Sequence, residues 1–146
     1  MRIQLPHYLF MSKIINISSA SFIALHSLAY IANCDQITNI KTISQTINMA
    51  ESHVAKIIQL LVKYGYLKST RGPKGGLVLI KTPSSITLLE IFELIEGEIQ
   101  IDNCPTQCIK CPFKTCIFGG LPQKMSMEFL NYMQNKTLQQ FINENK

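Results

Sequence analysis

Three observations predict a mostly α fold with a small β-hairpin wing, a winged helix-turn-helix followed by a C-terminal helical region. Apolar residues recur at helical spacing in a series of capped segments. A glycine-rich, basic loop separates two short β-prone runs just after the third of these segments. Further apolar stripes follow where one core already looks complete.

Ser18 or Ser19 can cap a first helix running to about Asn33, with Leu25, Leu28, Ala29 and Ala32 as its apolar face. A short helix is expected from about Thr38 to Thr46, with Ile40, Ile43 and Ile47 on one side. Asn48 breaks it and supplies the unusual backbone of the turn. Asn48 also opens the next helix, because Glu51 stands three residues on in a capping-box pattern. Val54, Ile57, Ile58, Leu61 and Val62 form the buried stripe of that helix, and Gly65 ends it. Two helices joined by a short turn make a helix-turn-helix, although many helical hairpins share the pattern.

The next segment narrows the reading. Leu67–Thr70 and Leu77–Ile80 are strand-like, and Arg71-Gly72-Pro73-Lys74-Gly75-Gly76 lies between them. Glycines permit tight turns and close backbone approach, and the two cations suit phosphate or minor-groove contact. A nucleotide-binding loop is disfavoured, since the phosphate-loop spacing and its strand-to-helix setting are absent. Thr87 and Glu90 mark another capping box, opening a helix with Leu88, Ile91, Phe92 and Ile95 on its apolar stripe and Gly97 at its end. Glu90, Glu93 and Glu96 read as a solvated acidic face. Pro122 suits the first turn of a later helix bearing Met125, Phe129, Tyr132 and Met133. Thr137 can cap a last one with Leu138, Phe141 and Ile142. These late stripes are expected to pack against a second copy, making this the dimerisation region, with packing back onto the same monomer as the alternative.

The chain of 146 residues divides into a leader (1–17), a DNA-binding domain (18–97), a cysteine-rich loop (98–118) and the dimerisation and C-terminal helices (119–146). Residues 1–81 hold nine Lys and Arg against two acids, whereas residues 82–146 hold five Lys against seven acids. The basic half is where a polyanion would bind. No apolar run approaches the roughly 20 residues that span a bilayer, so no membrane association is expected. Pro6, His7 and Lys13 interrupt the signal-like start, which leaves the cytoplasm as the expected location. No nucleophile and base stand at recognisable spacing, and the three histidines are isolated, so an enzyme is not expected.

Of five cysteines, Cys34 stands alone, at a helix end, and reads as structural. Cys104, Cys108, Cys111 and Cys116 crowd into thirteen residues, which points to metal or redox chemistry rather than a disulfide scaffold. Four thiolates can hold an iron–sulfur cluster, 2Fe–2S or 4Fe–4S, without help from elsewhere. They also make a zinc site, a thiol switch or an inert loop, and the spacing leaves these open.

The series Ala24-Leu25, Leu28, Ile31-Ala32, Ile43-Ser44-Gln45-Thr46, Leu60 to Leu67, Ser69 to Gly76, Ile86-Thr87-Leu88, Ile91, Glu96-Gly97, the clustered cysteines and Thr137-Leu138 resembles the IscR/NsrR/CymR (Rrf-type) family of bacterial winged-helix regulators. The resemblance implies a homodimer on a double-stranded DNA operator, with each recognition helix in a major groove and each wing in the adjacent minor groove. It places Ala50, Ser52 and His53 at the base-facing start of the recognition helix and makes Arg71 the wing arginine. Ala55 stands where some members carry a Glu that helps select the site. Ser52 and His53 suit base edges, Lys56 and Lys74 suit phosphates, and Ser69 and Gly75 complete the wing's share of the surface.

Many members hold an iron–sulfur cluster on three loop cysteines and one further ligand. Cys104 and Cys116 keep the spacing of the first and third of these, whereas Lys110 stands at the middle position with Cys111 beside it. Gly119 replaces a ligand His, and Phe22 stands near the place of a ligand Asp. A CymR-like branch works instead through a regulatory protein partner without a cluster.

Overall fold

The computed structural model describes residues 17–34, 36–101 and 111–145. Most of the expected leader, residues 1–16, lies outside the described residues. Six helices and one hairpin follow in the order α1 (Ser19–Asn33), α2 (Ile40–Ile47), α3 (Glu51–Lys63), β1 (Leu67–Thr70), β2 (Gly76–Leu79), α4 (Leu88–Glu96), α5 (Leu121–Asn135) and α6 (Leu138–Glu144). A single 3-10 turn, Pro83–Ser85, separates β2 from α4.

Short polar side chains set most helix starts. Ser18 accepts from Ser21 N at 3.2 Å, Asn39 Oδ1 from Thr42 N at 2.9 Å, Thr87 from Glu90 N at 3.1 Å and Thr137 from Gln140 N at 3.2 Å. Gln140 Oε1 returns the favour by accepting from Thr137 N at 2.8 Å, a reciprocal capping box.

Two of these starts differ from the sequence expectation. Helix α2 begins at Ile40 rather than Thr38, because Asn39 is the cap and Thr38 is diverted into a β-bridge with Leu77. Asn48 does not cap α3. It sits in the left-handed region (φ 53°, ψ 49°) as the C-cap of α2, and Met49 N reaches back to Ser44 O at 3.0 Å. A left-handed residue cannot also adopt the extended backbone of an N-cap, so that place falls to Ala50, which makes no side-chain cap bond. Asn tolerates the left-handed conformation better than most residues, as the turn requires.

The core is centred on α1. Ile23, Ala24 and Leu28 are fully buried, together with Ile43 of α2, Val54 and Leu61 of α3, and Ile86. The buried face of α1 is Ser21, Ile23, Ala24, Ser27, Leu28 and Ile31, rotated from the expected stripe of Leu25, Leu28, Ala29 and Ala32. Leu25, Ala29 and Ala32 still pack around the edge of the same core. The cause is that α1 is packed by α2, α3, α4, α6 and β2, so no single stripe meets all its neighbours.

The hairpin pairs antiparallel with Leu67 opposite Leu79 and Thr70 opposite Gly76. It begins its second strand one residue earlier than expected. Leu77 N also donates to Thr38 O at 2.8 Å, so the segment before α2 forms a third lane beside β2.

The last helices divide their loyalties. Helix α6 was expected to face a second copy, but Leu138 is 1% exposed and Ile142 is buried with it in the core around α1. Paired backbone bonds fix this arrangement: Leu88 N to Lys136 O and Leu138 N to Ile86 O, both 2.9 Å. Helix α5 packs on α4 through Met133, Leu88 and Phe92, with Phe92 and Phe129 edge-to-face at 5.2 Å. Of its other apolar residues, Leu121, Met125, Met127 and Tyr132 are exposed.

Replacing Leu138 by Ala is expected to cost about 2–5 kcal/mol, the range for large-to-small changes in a packed core. A urea unfolding curve would measure it. A loss near zero would mean that α6 does not complete the core.

Candidate nucleic-acid interface

Helix α3 buries Val54, Ile57, Ile58 and Leu61 and leaves Ser52, Lys56, Gln59 and Lys63 exposed. These four follow one another at spacings of four, three and four, a ridge along the outward face. Ala50 is exposed just ahead of the helix, whereas His53 and Ala55 are half-buried at its shoulder. The recognition-helix residues expected from sequence therefore gather at one end of α3.

The wing carries Ser69, Arg71 and Lys74 exposed on its strand and loop, with Gly75 half-buried. Gly75 N closes the loop onto Gly72 O at 2.9 Å. A Cβ on Gly75 would fall 2.2 Å from Thr70 O, and one on Gly76 would meet Ile37 Cγ2 at 2.2 Å and Thr38 O at 2.5 Å. Glycine is needed at both places because backbone, not a movable side chain, occupies most of the space.

Only two ion pairs occur among the described residues, Lys81 with Glu90 and Lys136 with Glu144. Lys56, Arg71 and Lys74 are exposed and make no ion pair there, so their charge is available to an external anion. Lys41 on α2 and Lys68 on β1 are exposed in the same way. Residue-level reading missed both as candidate contacts, although the excess of cations before residue 82 was the available signal.

At the base of the wing, Tyr66 donates a short hydrogen bond to Glu90, and Lys81 Nζ reaches the same oxygen at 2.9 Å while lying 4.1 Å from the Tyr66 ring centroid. Burial, and then the neighbouring carboxylate, pushes the Tyr66 hydroxyl well above its usual range. Burial would also push the Glu90 carboxyl up. The hydrogen bonds from Tyr66 and Lys81 and the lysine's charge outweigh it, so the carboxyl is held below the usual range.

The acids of α4 are thus no solvated face, contrary to the expectation. Glu93 accepts from Ile99 N at 3.4 Å, and Glu96 accepts from Ser18 N at 3.0 Å and from the Ser21 hydroxyl. Residues three apart share a helix face, and here each ties α4 to a different segment.

Of the loop cysteines, Cys104 and Cys108 lie outside the described residues. Cys111 and Cys116 are exposed free thiols. Gly119 and Gly120, at φ 58° and 74°, turn the chain from this loop into α5. Soft thiolate donors are the chemistry that zinc or an iron–sulfur cluster requires, so the two described cysteines fit such a centre. Phe22 is stacked on His26 at 3.9 Å between centroids and brings no carboxylate toward the loop.

The family profile of Rrf2, described as an iron-dependent transcriptional regulator, matches residues 17–144. The chain belongs to the Rrf2 family. It is accordingly a DNA-binding transcriptional regulator and not an enzyme. The regulator NsrR of Bacillus licheniformis is 29% identical over 125 residues, covering 82% of this chain and 86% of that protein. Two solved structures share the fold. CymR, the global cysteine regulator of B. subtilis, has a TM-score of 0.70 at 23% identity, over 90% of this chain and 99% of that one. IscR of T. potens has a TM-score of 0.69 at 19% identity, over 90% and 89%. Among the described residues, no helix of this Rrf2 protein is long and apolar enough to cross a membrane.

The Glu90 network sets a pH dependence. A carboxyl held below its unfolded value of about 4.3 contributes stability that is complete above that value. That stability is lost as pH falls through the lower, folded value. Between roughly pH 6 and pH 3, Glu90→Gln should therefore show a shallower fall in urea midpoint than the unchanged protein. Parallel acid limbs would refute the assignment.

Proposed function

We propose that this Rrf2 protein binds a palindromic operator as a homodimer, and that Ala50, Ser52, His53 and Lys56 of the recognition helix and Ser69, Arg71, Lys74 and Gly75 of the wing form the DNA surface. The observation that carries the reading is the set of exposed cations on α3 and the wing that no acid neutralises. Short polar groups at the start of α3 suit base edges in a major groove. The narrow wing tip, with glycines at its turn, suits a minor groove. The exposed apolar residues of α5 support the homodimer, since such a surface is stable when a second copy covers it. Two-fold pairing would set two recognition helices one helical turn apart on DNA.

The second part of the reading concerns control. Cys104, Cys108, Cys111 and Cys116 would hold an iron–sulfur cluster, which supplies a link sensitive to redox state, nitric oxide and iron supply. The fit of the exposed thiols Cys111 and Cys116 and the iron-dependent description of the family support this. The chain's own residues offer the route from loop to wing. Ile99, at the loop entrance, is tied to Glu93, and Glu90 three residues earlier on α4 grips Tyr66 and Lys81 at the wing base. Ordering the loop would bias α4 and, through it, the wing. A cluster-free regulator governed by a partner protein is the competing reading. It is favoured by Phe22 and Gly119 standing where further ligands would be expected.

Arg71→Ala is expected to weaken operator binding by about 1–3 kcal/mol, and Lys74→Ala to reduce the salt slope of binding by about one. Fluorescence titrations at several salt concentrations measure both, and unchanged affinity and slope would remove the wing from the interface.

Anaerobic purification followed by iron, sulfide and zinc analysis tests the centre. Iron with sulfide and visible charge-transfer absorption is the expected result. Zinc alone would replace the cluster with a structural metal, and no metal after reconstitution would leave the partner-governed reading. Equal operator affinity of loaded and metal-free protein would sink the regulatory link.

A further inference from the structure

Helix α3 packs against α1, α2 and β1, which leaves its outward face for solvent or a partner. Ser52, Lys56, Gln59 and Lys63 are exposed along that face. At about 100° per residue, Gln59 returns after two turns to within about 20° of the direction of Ser52, and Lys56 and Lys63 fall within about 40° of the same line. The four side chains therefore leave the helix on one side. The ridge holds no carboxylate. Glu51, the one acid of α3, stands in the first turn, where the positive end of the helix favours it. A helix face that meets only water commonly alternates the sign of its charges. This one sets two cations among uncharged hydrogen-bonding groups.

Gln59 stands between the two lysines, three residues after Lys56 and four before Lys63. Its side chain has no hydrogen-bond partner among the described residues. The amide offers donors and an acceptor in one plane at the end of a flexible arm. Adenine presents the complement in the major groove, where N7 accepts and the N6 amino group donates. A phosphate has acceptors only and would leave the amide oxygen unused. The lysines on either side serve a phosphate better, since their bonds to it are charge-assisted.

We propose that Gln59 is a base-reading residue, whose amide donates to N7 and accepts from the N6 amino group of an adenine while Lys56 and Lys63 hold phosphates beside it. This rests on the reading of α3 as part of the DNA surface and adds a specificity-determining contact two turns beyond its start. Seven residues rise about 10.5 Å along a helix. Successive bases of one strand are about 3.4 Å apart along the duplex axis. With α3 lying along the groove, the adenine stands about three base pairs from the base that faces Ser52. The helix then reads a half-site along its length and not only with its tip.

Binding-site selection tests this. The full-length protein selects duplexes from a randomised pool, and the selected pools are sequenced for the unchanged protein, Gln59→Ala and Gln59→Glu. Gln59 is exposed, so neither change touches the core. The unchanged protein is expected to select an adenine at one position of each half-site. Gln59→Ala should lower the preference for that adenine by about tenfold or more and leave the other positions as they were. Gln59→Glu should replace it with cytosine, because a carboxylate accepts from the cytosine N4 amino group. Gln59 carries no charge, so Gln59→Ala should leave the salt slope of binding unchanged. An unaltered pool with Gln59→Ala would overturn the proposal, and so would weakening that is equal across all sequences, the mark of a backbone contact. Ser52→Ala separates this from the wider reading. A changed pool for Ser52→Ala beside an unaltered one for Gln59→Ala would overturn the role of Gln59 and leave the α3 surface standing. Unaltered pools for both would overturn the α3 surface as well.

Discussion

The fold depends on how closely its neighbours can approach α1. Ser21, Ala24 and Ser27 are fully buried along that helix, and their small size lets other elements pack against it from several sides. Larger side chains there would force neighbours outward, and packed interiors absorb such changes poorly. From this centre follow the angle of α3, the footing of β2 and the return of α6. Ser21 has a second role, since its hydroxyl donates to Glu96 and so pins the end of α4 to the start of α1.

The acidic face of α4 converts that packing into linkage. Three glutamates, one turn apart, hold the wing base, the entrance to the cysteine loop and the first turn of α1. Such partly buried networks are stable only when each member is satisfied, so they resist independent movement of their parts. The DNA-binding reading and the sensing reading therefore share one helix. Cations that face outward are left free, whereas Lys81, which faces this network, is engaged.

Much of this was legible in the sequence because local chemistry and tertiary demand agree. The caps at Ser18, Thr87 and Thr137, the apolar stripe of α3 and the glycines of the wing each have one strong local reason, and each appears in the structure. Misreadings came where two roles competed for one residue. Asn48 carries the pattern of an N-cap, but closing α2 takes its backbone into the left-handed region. Thr38 looks helical by spacing, but the edge of β2 claims its carbonyl. Glu96 resembles part of a solvated face because its partners are distant in sequence, 75 and 78 residues away. Leu138 and Ile142 look superfluous only if the core is counted in chain order. The candidate DNA residues were readable as a cluster of basic and short polar types, whereas the loop's ligand set had no local pattern strong enough to separate iron from zinc.

The double bond pairing between the Thr87 and Thr137 segments has a polymer consequence. The chain leaves the folded body after Ile99 and re-enters a helix at Leu121, and both points are moored by α4 and α5. The intervening segment is therefore a closed ring of chain rather than a tail. Closing a ring costs conformational entropy that grows only as the logarithm of its length, and here folding has already met that cost. The sequence places four thiols within thirteen residues of that segment, so a group that bridged them would close only short further loops. A segment tethered at both ends would give up less freedom on binding such a group than an open chain of the same sequence.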